Sequence, residues 1–208
     1  MAFNAQNLVQ SIEPEGSGAA RTTVTRLRRH RQGFYIMSSQ RIAMFAVAAI
    51  ALLAVAQNAW YWGQLPDRVA THFNSEGTPN DWMTKTNATI IMSGFQIGMP
   101  FFLIAVTLLA ARLPASMVNI PHREYWLHPD RHASSIGYVQ LFMNWIAVVF
   151  SLFALAINHL VFMANRDGVG LNTVWFGVLM AVFLVTVFLL VAKLLYHSRM
   201  PRESTPSR

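Results

Sequence analysis

Few residues in this chain have chemistry to offer. His128 and His132 stand four apart, a spacing that brings two imidazoles to one helical face, where they could ligate a divalent metal. His122, Glu124 and Asp130 lie near them, but no third ligand sits at a fixed spacing. The chain has seven His and no Cys, which excludes disulfides and thiolate metal sites. Gln57, Asn58, Gln96, Asn144, Asn158 and His159 interrupt strongly apolar runs. In hydrocarbon such groups are costly unless partnered. Two readings stay open. They form hydrogen bonds between helices, or Gln57, Asn58, Gln96 and His159 line an outward polar pocket covered by His72. There is no HExxH, no GxSxG, no phosphate-cradling glycine loop and no pair of acids inside an apolar run. The expectation is a protein that is not an enzyme and takes no cofactor, with a small transporter or a metal-dependent membrane enzyme using the loop histidines as the alternative.

Long apolar runs must position these residues. The chain is 54% hydrophobic and 12% charged, where a soluble domain carries about a quarter charged residues. The runs read as four membrane helices, at about 42–62, 88–111, 136–165 and 172–196. The expected fold is an all-α membrane bundle over 41–198. The third run would be roughly 40 Å or more long as a helix, so it must tilt or project from the bilayer. Gly94 and Gly98 make a GxxxG step suited to close helix packing or homo-oligomer assembly, and Pro100 predicts a kink. Residues 1–40 carry five arginines between Arg21 and Arg31 and no apolar core. They read as a disordered basic tail rather than a secretory signal, with Met37 as an alternative start. Residues 199–208 read as a second disordered tail.

Charge sets the orientation. The formal charge of +7 raises the prospect of nucleic acid, but membrane proteins gather Lys and Arg on their cytoplasmic side. Thirteen basic residues fall in the two ends and the second loop, against three (Arg68, Lys85 and Arg166) in the first and third loops. Both termini are therefore expected inside a bacterial cytoplasmic membrane. The loop Leu65–Lys85 then faces outward, and Arg112–His132 faces inward.

Within the outer loop, Val69, Thr71 and Phe73 alternate with Ala70, His72 and Asn74, a strand period. Asn74–Asn80 has turn chemistry, and Asp81–Lys85 can return as a second strand. A small hairpin follows, with Phe73 and Trp82 expected to anchor it on the helices. It serves as a packed cap or as a lid that contacts a ligand. In the inner loop, Tyr125 and Trp126 beside Arg123 and Arg131 suit a headgroup-level segment. Pro129 is placed to be the first residue of the third helix.

Leu65, Pro66, Val69, Thr71, His72, Phe73, Gly77, Pro79, Trp82 and Lys85 occur in an order that resembles a bacterial membrane domain of unknown function (domain of unknown function 1648). That domain also forms the N-terminal part of SdpI-like membrane proteins. The inner-loop residues Asn119, Pro121, Glu124, Tyr125, Trp126, Pro129 and Arg131 resemble the N-x-P-N-K-E-Y-W-L-A-P-E-R segment of those proteins. His122 and His128 depart from that pattern, which speaks against a metal site shared across the family. The resemblance covers about Ile42 to Arg131. It implies a sensor, immunity or accessory protein that meets a peptide or membrane-protein partner through its outer loop.

Overall fold

The structure is a computed structural model. It describes residues 16–113, 117 and 123–198; for residues 16–36, Arg123 and Asp130 only the backbone is described. Asn119, Pro121 and His122 and both chain ends (1–15 and 199–208) lie outside the described residues. The chain divides into two compact units, Met1–Ser38 and Ser39–Arg208.

Helix α1 spans Gly16–Trp62. Its backbone is helical from Gly16, within the segment expected as a basic tail and well before the apolar run. No proline interrupts the chain between Pro14 and Pro66, and Ala, Arg and Leu favour a helix even where no apolar face calls for one. Strands β1 (Arg68–Phe73) and β2 (Pro79–Thr84) follow as the expected antiparallel hairpin. The second span is α2 (Lys85–Ser93), a five-residue π segment (Gly94–Gly98) and α3 (Met99–Ala110). A short α4 (Arg123–Trp126) precedes α5 (Pro129–Asp167), which does start at Pro129. Helix α5 stops at Gly168, whose φ of 66° is the left-handed cap conformation that glycine adopts without a Cβ penalty. Helix α6 (Thr173–His197) begins at Asn172, whose side chain accepts a hydrogen bond from the Trp175 N–H.

Among the described residues four helices are long and apolar enough to cross a membrane: Met37–Trp62, Lys85–Ala110, Arg131–Asp167 and Thr173–His197. Their exterior fits that solvent. Phe45 (75% exposed), Leu52 (73%) and Phe188 (70%) would form aggregation-prone patches in water, but they are at home among lipid tails.

Helix α5 is the hub. Ala43, Val47 and Ile50 of α1, Ile104 of α3, and Ala147 and Val148 of α5 form one buried cluster. Alanines at the contact bring the backbones close, which is how helices associate where hydrophobicity supplies no drive. A second cluster joins Tyr61, Leu65, Val69, Ala88 and Phe162 at the hairpin end. Helix α6 packs on α5 through Phe183, which stacks on Phe153 at 4.3 Å and meets Phe150 edge-on at 6.3 Å. It has no buried residue of its own.

Candidate functional site

The hairpin is built to sit in one place. Asn74 shapes its turn: its side-chain Oδ1 accepts from the Glu76 and Thr78 N–H groups, and its carbonyl accepts from Gly77. Gly77 takes φ of 82°, and its carbonyl accepts from the Leu171 N–H at 2.8 Å, tying the turn to the α5–α6 loop. A Cβ on Gly77 would lie 2.2 Å from the Leu171 carbonyl oxygen, so only glycine fits. On β1, the Asn165 side chain replaces a missing strand. Its Oδ1 accepts from the Ala70 N–H at 2.6 Å, and its Nδ2 donates to the Ala70 carbonyl at 2.9 Å. The β1 edge at Ala70 is thereby closed by α5.

Val69 and Ala70 pair in regular register with Met83 and Trp82, yet both are buried, because Val69 packs in the second core cluster and Ala70 is covered by Asn165; register shifts follow between Ala70 and His72 and between His72 and Phe73. Phe73 and Trp82 are not the anchors expected from the sequence. Phe73 is half-buried and Trp82 is 44% exposed, while Leu65 and Val69 fill the second core cluster. Bulges re-aim side chains, which is why the strand period misled here. Lys85 closes the base of the hairpin: its N–H donates to the Asp67 carbonyl, its Nζ reaches the Leu65 carbonyl at 3.3 Å, and Nζ stands 5.2 Å from the Trp62 ring centroid. Pro66 is exposed and Pro79 opens β2. His72 and Asn80 pair across the exposed face, Nδ1 to Oδ1 at 2.6 Å.

Below the hairpin lies an amide cluster within the apolar spans. Gln96 is 3% exposed and sits in the middle of the π segment. Its Nε2 donates to Gln57 Oε1 at 3.0 Å, and its Oε1 accepts from Asn58 Nδ2 at 3.1 Å and from Asn158 Nδ2 at 2.9 Å. Gln57 Nε2 also donates to the Leu155 carbonyl. Of the two readings open from the sequence, hydrogen bonding between helices describes the amides Gln57, Asn58, Gln96 and Asn158. The amides bond each other directly and the adjoining groove between the helices holds no room for a water molecule. His159 is separate from the amides and pairs through Nδ1 with the Tyr61 hydroxyl at 3.1 Å. His72 does not cover the cluster, because its ring is held by Asn80 on the exposed hairpin face. Asn158, which belongs at the centre, was visible only as one of several polar residues in the third run.

Gly94 and Gly98 do not serve close packing among the described residues of this chain. Among the described residues nothing lies within 4 Å of where a Cβ would stand on either. Instead they bound the π segment, just ahead of Pro100 in the first turn of α3. Proline supplies no N–H and crowds the carbonyl four residues back, so the sequence's expected kink is accommodated as a local change of helix period.

At the opposite end, the inner-loop motif grips the last helix. Trp126 Nε1 donates to the Ser198 carbonyl at 2.9 Å, and the Trp126 carbonyl accepts from Ser135 Oγ. His197 stacks on Tyr138 at 3.8 Å and on Trp126 at 5.9 Å. Arg131 lies 4.2 Å over the Tyr125 ring. Glu124 is exposed. His128 caps α5, accepting from the Arg131 and His132 N–H groups through its carbonyl. Among the described residues no three His, Asp or Glu side chains converge as a metal would need.

The two ends and the amide cluster can now be set beside known proteins. Residues 49–97 match the family model described as Domain of unknown function (DUF1648). No curated protein and no solved structure matches the chain. The DUF1648 segment runs from the middle of α1 through the hairpin to the π segment. It therefore carries Gly77, Lys85 and the Gln57, Asn58 and Gln96 amides, while their partners Asn158 and Asn165 on α5 fall outside it.

Proposed function

We propose that this protein is a non-enzymatic subunit of a bacterial cytoplasmic membrane, with both termini inside, that senses or neutralises a peptide or membrane-protein partner through its outer hairpin. The observation that carries the reading is the hairpin itself. Its buried face and backbone are fixed by Leu65, Val69, Gly77 and Asn165, while His72, Asn80 and Trp82 remain exposed on it. A rigidly held surface with an exposed Trp and a polar pair has the make-up of a contact site, because little ordering entropy is lost on binding. The asymmetry of basic residues supports the outward placement of the hairpin. The resemblance to SdpI-like proteins supports immunity or signalling as the setting. The bilayer is its solvent, nucleic acid is not a partner, and the motif at the other end serves to hold α6 in place.

Site-specific photocrosslinking in intact cells tests it. A photoreactive residue at position 82 should give a discrete protein or peptide adduct, lost on His72→Ala, while the same residue at the exposed Ile91 on α2 should give lipid adducts only. Identical adduct patterns at the two positions, with expression matched, would sink the proposal.

A further inference from the structure

We propose that the π segment Gly94–Gly98 is a hinge, latched by Gln96, about which α2 and the hairpin attached to it turn relative to α3. A π turn holds one residue more than an α turn, and expelling or moving that residue rotates one side of the helix against the other by about 100°. Four observations converge on this segment. Its bounding residues are glycines, and the space beside both is open, so packing within this chain does not require them. Pro100 follows and leaves the ladder one donor short. Gln96, at the centre, is the only residue of the segment that is buried, and three hydrogen bonds to Gln57, Asn58 and Asn158 hold its register. The interface it latches is also incompletely satisfied: Asn58 Oδ1 on α1 and Thr89 Oγ1 on α2 are buried and have no partner. Buried polar groups left unpaired mark an arrangement that a different one can improve.

The hinge has something to move. Helix α2 starts at Lys85, the residue directly after β2, and Lys85 is bonded back to Asp67 and Leu65. Rotation of α2 therefore carries the hairpin. The other end of that lever is the docking of Gly77 on Leu171 and of Ala70 on Asn165. A partner that loosens this docking would be felt at Gln96, roughly 10 Å further along the helix from Thr89, given a rise of about 1.5 Å per residue. The hinge is a property of the fold, whatever partner the hairpin meets.

Spin-label distance measurement in lipid nanodiscs tests it, and the absence of native Cys means that introduced ones report alone. Labels at Asn87→Cys on α2 and Val178→Cys on α6 read rotation of α2. Gln96→Leu should shift the distance, or add a second population, by about 5–8 Å, the travel of a side chain rotated through ~100° at the helix surface. Adding Gly94→Ala and Gly98→Ala should suppress that shift by stiffening the hinge. If Gln96→Leu fails to insert, the pair Gln57→Leu and Asn158→Leu removes the latch from the other side. Superimposable distributions in wild type and latch variants, or a shift that survives the alanines, would overturn the hinge.

Discussion

Asn165→Ala is the sharpest perturbation of the hairpin's seat. In the native protein the Asn165 amide satisfies both backbone groups of Ala70, at 2.6 and 2.9 Å, and anchors itself to the Val161 carbonyl at 2.9 Å. Ala70 is 3% exposed, so water cannot replace those bonds while the hairpin stays docked. Each buried backbone group left without a partner costs about 1–3 kcal/mol, so leaving two unpaired should weaken docking by roughly 2–6 kcal/mol. At 1.4 kcal/mol per factor of ten, that is at least about 30-fold in the opening equilibrium of the hairpin, and up to about 20,000-fold. Hydrogen exchange followed by mass spectrometry in nanodiscs reads it directly. Amides of residues 68–84 should exchange faster by that factor, while those of α5 around Ala147 stay protected. Asn165→Asp keeps the acceptor for the Ala70 N–H but loses the donor, and should fall between. Hairpin exchange within threefold of wild type in Asn165→Ala would refute this seat, because it would mean that Leu65, Val69 and the Gly77–Leu171 bond hold the hairpin without Asn165.

Three further outcomes follow from the same contacts. Gly77→Ala must move the Leu171 carbonyl that would lie 2.2 Å away and must adopt a left-handed φ costing about 1–2 kcal/mol, so it should open the turn as far as Asn165→Ala does, read by cleavage of the hairpin with added protease. Gln96→Leu removes three interhelical bonds at about 0.6 kcal/mol each, a loss near 2 kcal/mol, measurable as reversible unfolding in mixed micelles; stability equal to wild type would show that the amide cluster contributes nothing. Trp126→Phe retains the stack on His197 but loses the bond to Ser198, and should release the C-terminal end of α6 by about 1 kcal/mol, seen as faster exchange of the last α6 turn with the hairpin unaffected.

The four spans were legible because apolar runs of this length have one explanation, and the hairpin because turn residues separate two short extended pieces. Its seat was not legible. Strand alternation put Val69 and Phe73 on one face and Ala70 on the other, but Val69 and Ala70 are both buried because α5 covers Ala70 through Asn165, and two register shifts beyond Ala70 break the period before Phe73. Asn165 was invisible for a different reason: its partner is backbone 95 residues away, and backbone carries no sequence signal. Gln57, Asn58 and Gln96 could be picked out because polar residues in apolar runs need partners, but which amide bonds which depends on helix rotation. The π segment alters that rotation at Gln96 itself, and two glycines beside a proline read equally well as a packing step or as a change of period. Tyr61, the middle of three consecutive aromatics at the end of the first span, is 3% exposed and holds His159, a role its sequence position does not set apart from Trp60 and Trp62.

The proposed topology puts the exposed face of the hairpin outside the cell and the Trp126 end within. Single-cysteine labelling of intact cells tests it most directly, using Ser75→Cys in the exposed turn and Ser134→Cys near the start of α5. A membrane-impermeant maleimide should label position 75 in intact cells, and position 134 only after the membrane is opened. Labelling of position 134 in intact cells, with position 75 protected, would contradict the account.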